Sequence, residues 1–153
     1  MSFLFGILLF SAFMAVVIVT IFQLHRRRQR RLSKRTTIAL DTLLMELGMH
    51  TEREKTLGRD VLRILGKELD VHPACLRPTD RFDVEFRSYP PWLEKSDIVL
   101  DSFEERLIAL TASHGFEYTL PKELRTWNLK ELMDDLRQRL RHMAEQCGTA
   151  NDN

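Results

Sequence analysis

The first 24 residues of this 153-residue chain carry no charged side chain, and no acidic residue appears before Asp41. Within that span, Phe3–Leu24 reads FLFGILLFSAFMAVVIVTIFQL, 22 residues without a charge. At ~1.5 Å rise per residue this is enough to cross a hydrocarbon core of ~30 Å. A cleaved signal peptide needs cations before its apolar stretch and an A-x-A-like site after it. Here only Met1 and Ser2 precede the stretch, and no such site follows. A buried core helix would need a larger remainder to surround it. The segment therefore reads as an uncleaved signal anchor.

Cysteine is equally scarce. Cys75 and Cys147 cannot build a disulfide framework. His72 and Cys75 make an H-x-x-C, but no second ligand pair has zinc spacing, so no metal site is expected. Also missing are G-x-x-x-x-G-K-[ST], G-x-S-x-G and H-E-x-x-H. With no catalytic constellation, the chain is not expected to be an enzyme. No alternating pattern long enough for a sheet occurs, which leaves an all-α protein.

What is present begins with HRRRQRRLSKR, His25–Arg35. This run takes seven of the 23 basic residues and leaves 16 against 22 acidic ones, a net charge of −6 for the rest of the chain. The near-neutral total of +1 thus divides into a cationic stem and an acidic domain. Arginines directly after an apolar span are drawn to anionic lipid headgroups, and this position argues against nucleic acid as their partner. The positive-inside tendency places the N-terminus outside and residues 25–153 in the cytoplasm, most simply of a bacterial inner membrane.

Apolar spacing then predicts four helices. Ile38, Leu40, Leu43, Leu44 and Leu47 suit an amphipathic helix over Thr36–Met49, continuing from the stem. Leu57, Val61, Leu62, Ile64, Leu65 and Leu69 stripe a helix over Arg53–Leu69. Pro73 and Pro78 then break the pattern, with Val71, Leu76 and Phe82 as single apolar anchors of a loop. A further loop, RSYPPWLEKSD, Arg87–Asp97, carries Trp92. It is either a lid over the core or a partner contact, since exposed aromatics anchor interfaces. A helix opens at Ile98–Leu110, with Phe103, Leu107, Ile108 and Leu110 facing inward and Gly115 as its stop. A last helix covers Thr126–Met143, capped by Asn128 with Glu131 and striped by Leu129, Leu132, Met133, Leu136 and Leu140. The organisation expected is an anchor (1–24), a basic stem with linker helix (25–52), a helical domain (53–146) and a disordered tail (147–153).

Asp101-Ser102 stands at the start of the third of these helices. Ser102-Phe103-Glu104-Glu105 fits a capping box, with the Ser102 hydroxyl accepting from the Glu105 N–H. Alone that says little about function, but its surroundings say more. Taken together, residues 58–143 resemble the acyl carrier protein family. VLRILGKELDV (Val61–Val71) resembles the family's first-helix ending, and LRPTDRF (Leu76–Phe82) its loop with a buried aromatic. LDSFEERLIALTASHGFEYTLP (Leu100–Pro121) is similar to the D-S-L motif with its second helix and following segment. TWNLKELMDDL (Thr126–Leu136) is similar to the entry of its last helix.

The resemblance implies a small helical bundle with 4′-phosphopantetheine attached at Ser102 by a phosphopantetheinyl transferase, and Asp101 as motif neighbour. It further implies acyl-loading and acyl-transferring enzymes as partners, membrane-bound ones given the anchor, docking through Glu104 and Glu105; Trp92, which the family pattern does not require, is a candidate added contact. The chain departs from the family pattern in Val99, where a glycine is usual, in Phe103 for leucine, in the lengthened 87–97 segment, and in a less acidic second helix. The alternative is an unmodified docking or scaffold module of a membrane complex.

Overall fold

The computed structural model describes residues 2–86, 98–121 and 124–149. Among these the chain is all-helical, and the sole β-type pairing is an isolated bridge between Arg81 and Asn128. Five α-helices follow in order: α1 (Ser2–Ser33), α2 (Leu40–Glu46), α3 (Glu52–Leu69), α4 (Ile98–Ser113) and α5 (Leu129–Thr149). Two single 3₁₀ turns, Pro73–Cys75 and Leu124–Thr126, lie between them.

Helix α1 runs without a break from the apolar stretch through the basic run. At ~1.5 Å per residue its 32 residues span about 48 Å. Phe5, Leu8, Phe10, Phe13, Val16, Ile18 and Phe22 are all exposed. The apolar part of this helix, none of it buried, is long and apolar enough to span a membrane.

The helix expected over Thr36–Met49 is shorter, with α2 only seven residues long. Residues 36–39 are instead held in non-helical backbone by tertiary hydrogen bonds. The Ile38 N–H donates to the Ala74 carbonyl at 3.0 Å, and the Arg77 guanidinium donates to the Thr36 carbonyl. Two consecutive β-branched threonines weaken the competing helix. Leu43 and Leu44 of α2, and Leu47 just after it, are fully buried in the same core as α3. Gly58 of α3 makes room for Leu44, since a Cβ there would come within 2.7 Å of the Leu44 side chain.

Helix α3 buries Leu57, Val61, Leu62, Leu65 and Leu69, as its apolar spacing predicts. Helix α4 packs against α3 through Leu100, Phe103 and Leu107. Ile108 does not join them. It is 45% exposed, because one residue past Leu107 turns it ~100° away from the core. Gly115, at φ +88°, ends α4 in a paired carbonyl turn. The Phe116 N–H donates to Thr111 and the Gly115 N–H to Ala112.

The predicted cap of α5 is present. The Glu131 N–H donates to Asn128 Oδ1 at 2.9 Å, and the Asn128 N–H to Glu131 Oε2 at 2.6 Å. All five predicted stripe residues of α5 are buried. Backbone of the expected tail is helical as far as Thr149; residues 150–153 lie outside the described residues.

A second capping box opens α3. Thr51 accepts from the Glu54 N–H, and the Glu54 carboxylate accepts from the backbone N–H groups of His50 and Thr51, both at 2.9 Å. Arg141 of α5 donates to the same carboxylate at 2.8 Å, and Glu54 is 98% buried. Burial by itself would raise the Glu54 pKa. The two N–H donors and the Arg141 guanidinium outweigh it and hold the group at about 2, below its usual 4.5.

A carboxyl depressed on folding stabilises the fold above its unfolded pKa and loses that contribution as pH falls toward the folded value. At ~1.4 kcal/mol per pKa unit this is worth roughly 3 kcal/mol. Unfolding titrations should therefore show stability falling between pH 4.5 and about 2. In Glu54→Gln the neutral-pH stability should be lower and this part of the pH dependence flattened. An unchanged pH slope in the variant would show that Glu54 does not carry it.

Candidate functional site

The start of α4 is the candidate site, and Phe103 fixes its orientation. The ring is fully buried, stacked on Phe82 at 5.8 Å between centroids, and Phe82 in turn meets Phe86 edge-on at 5.0 Å. With Phe103 and Leu107 pointing inward, Asp101, Glu105 and Arg106 are exposed, and Ser102 and Glu104 are half-buried beside them.

The capping role expected of Ser102 is not found. Helix α4 begins at Ile98, so Ser102 is its fifth residue and lies just past the first turn rather than ahead of it. The reason is in the sequence. Ile98-Val99-Leu100 continues the helical backbone upstream, and Leu100, three residues before Phe103, shares its buried face. The favourable field of a helix start fades within its first turn, so it reaches Ser102 only weakly.

The charges around Ser102 form small pairs. Arg125 meets Asp101 at 3.4 Å, bringing the 3₁₀ turn before α5 against α4. Arg106 meets Glu68 of α3 at 2.9 Å, and His114 lies 3.5 Å from Asp60. Glu104 ionises less readily than an ordinary glutamate. Burial is the main cause, the neighbouring Asp101 charge adds to it, and Arg125 opposes both. The face offered beside Ser102 thus holds three carboxylates, Asp101, Glu104 and Glu105, with Arg125 close by.

Trp92, expected as a partner contact, lies outside the described residues. The H-x-x-C pair serves local structure. His72 Nδ1 accepts from the Ala74 N–H at 3.2 Å, and Cys75 is buried. Among the described residues no group of three or more His, Cys, Asp or Glu is placed to hold a metal ion.

One functional arrangement escaped sequence reading. The stem does not extend freely from the domain. Arg28 is 5% exposed and donates to the Phe86 carbonyl at 3.0 Å, Leu32 is fully buried, and Gln29 donates to the Asp70 carboxylate at 2.7 Å. Beyond α1, Arg35 donates to both oxygens of the buried Asp80 at 2.6 and 2.7 Å. The available signal was Leu32, a lone leucine among arginines, set four residues after Arg28 on one helical face. No protein-family model matches the chain, and neither a curated protein nor a solved structure matches it.

Arg125→Ala offers a direct check of the site's electrostatics. Both partners of the Asp101–Arg125 pair are about half exposed, so its loss should change stability by less than about 1 kcal/mol. Loss of the cation should also raise the Glu104 pKa further, read as a shifted side-chain carboxyl titration by NMR. A Glu104 titration unchanged in the variant would remove Arg125 from the account of this face.

Proposed function

We propose that the protein is a membrane-tethered acyl carrier. In this reading Ser102 bears a 4′-phosphopantetheine arm that presents an acyl group to membrane-associated acyltransferases or biosynthetic enzymes. The chain itself performs no catalysis. The observation that carries the reading is Ser102 itself, half-buried beside the exposed Asp101 and Glu105 while its neighbour Phe103 is locked in the core. A thioester carrier needs its attachment hydroxyl on a rigid element and its acidic recognition groups beside it, and α4 supplies both. Anchoring by α1 would confine the loaded arm to the membrane surface and raise its effective concentration for enzymes there. The bilayer would be entered with the N-terminus outside and the bundle cytoplasmic, as the arginines after Leu24 favour.

A second reading is favoured by a specific observation. Ser102 sits one turn inside α4, whereas the resemblance implies a serine at the very start of that helix. An unmodified docking module of a membrane complex would need no such serine, and its α4 face would act as a protein contact only.

Intact mass separates the two. Wild type and Ser102→Ala should be co-expressed with the host's phosphopantetheinyl transferases. Alanine is favourable within a helix, so the variant should keep its fold. Wild type should gain the mass of one arm and the variant none. A wild-type chain left unmodified by every transferase of its host would discard the carrier reading in favour of the docking module.

Topology is tested independently by a reporter fused after Asn153. Activity is expected only from a reporter that works in the cytoplasm. Activity of a reporter that requires export would reverse the orientation and separate the bundle from cytosolic acyl donors.

A further inference from the structure

The end of the bundle that carries Ser102 is also the end held against α1. Helices α3 and α4 run antiparallel, as two side-chain contacts show. Glu68 meets Arg106, and Asp60, eight residues earlier in α3, lies 3.5 Å from His114, eight residues after Arg106 and just past the end of α4. The same register places Ser102 one turn beyond the Arg106–Glu68 pair, at the end of α3 where the chain leaves the helix through Leu69 and Asp70. Asp70 accepts from Gln29 of α1. A second route leads to the same place. Arg28 of α1 holds the Phe86 carbonyl, Phe86 meets Phe82, and Phe82 stacks on Phe103, the residue after Ser102. The opposite end of the bundle holds the Glu54–Arg141 pair, with His142 beside it and exposed.

The stem itself divides into two faces. At ~100° per residue, His25, Arg28, Gln29 and Leu32 fall on one side of α1. All four are buried or half-buried. Arg26, Arg27, Arg30 and Arg31 fall on the other side, and all four are exposed. Arg28 and Gln29 lie only four and five residues past Leu24, about 6 and 7 Å along the helix. Those distances are within a Debye length of ~8 Å at physiological salt, so charges at this level interact with a bilayer surface.

We propose that the docked stem and the Ser102 end of the bundle form one membrane-facing surface whose partner is an anionic lipid bilayer, with the stem arginines on headgroups and Asp101–Glu105 held beside them. The inference rests on reading α1 as a membrane span. The α4 carboxylates would not seek an anionic surface unaided. Docking of α1 through Arg28, Gln29 and Leu32 sets their position, and the four exposed arginines supply the opposite charge. For a carrier this geometry points the arm along the membrane rather than into the cytosol; for a docking module it selects partners embedded in the same bilayer.

The test uses the full chain in nanodiscs of mixed phosphatidylcholine and phosphatidylglycerol that contain a gadolinium-chelating headgroup lipid. Backbone amide signals of Asp101–Glu105 should be lost to paramagnetic broadening, while those of Arg141 and His142 persist. Equal broadening at both ends overturns the proposal. In an Arg28→Ala, Gln29→Ala variant the Asp101–Glu105 signals should return; persistent loss would show that docking does not set the orientation and overturns it. Identical broadening in pure phosphatidylcholine overturns the assignment to anionic lipid. Ser102 need carry no group in this measurement, so a failure here is distinct from failure of the carrier reading. A chain not retained by the discs sinks the membrane-span reading itself.

Discussion

The arrangement depends most on one buried carboxylate, Asp80. Its side chain is 4% exposed and accepts from Arg35 through both oxygens and from the Arg77 N–H at 2.8 Å. Its backbone carbonyl accepts from the Leu129 N–H, the first residue of α5. One residue therefore joins the end of the stem, the loop after α3 and the start of the last helix. Isolated burial of a carboxylate is strongly unfavourable, and removing a single partner from such a group is costly even where the pair itself adds little. Every donor that meets Asp80 is thereby held in register. Two residues on, Phe82 begins the aromatic series that ends at Phe103, so the position of α4 follows from the same point.

The helices themselves were largely legible in the sequence, because their apolar residues recur at 3.6-residue spacing and face a common core. Helix α3 and the Asn128–Glu131 cap of α5 are the clearest instances. Where legibility failed, tertiary contacts had overridden local preference. The segment 36–39 has apolar residues at helical spacing, yet its backbone is pulled into hydrogen bonds with Ala74 and Arg77. Ser102 had every local mark of a cap, S-x-x-E included. Three apolar residues before Asp101 were enough to start the helix a turn earlier, with Leu100 secured in the core. A capping box read from four letters cannot see the packing of the residues in front of it.

The stem illustrates a different failure. Seven cations in eleven positions read as one solvated patch, since charge patterns alone carry no information about burial. Two of the seven, Arg28 and Arg35, are instead used inside the fold, one on a backbone carbonyl and one on Asp80. The stem thereby becomes a structural element of the bundle and not a tether.

This coupling changes what an anchor can do. A free linker sets only a local concentration, and the tethered group samples all orientations within its reach. A helix that continues unbroken from an apolar span into the core of a bundle also sets an orientation. Arg28 joins α1 to Phe86, and the stacked rings join Phe86 through Phe82 to Phe103, the residue after Ser102. Packed interiors deform little before they rearrange. The face of α4 thus keeps a defined relation to α1, held by the buried Arg28 and by the half-buried Gln29 on Asp70.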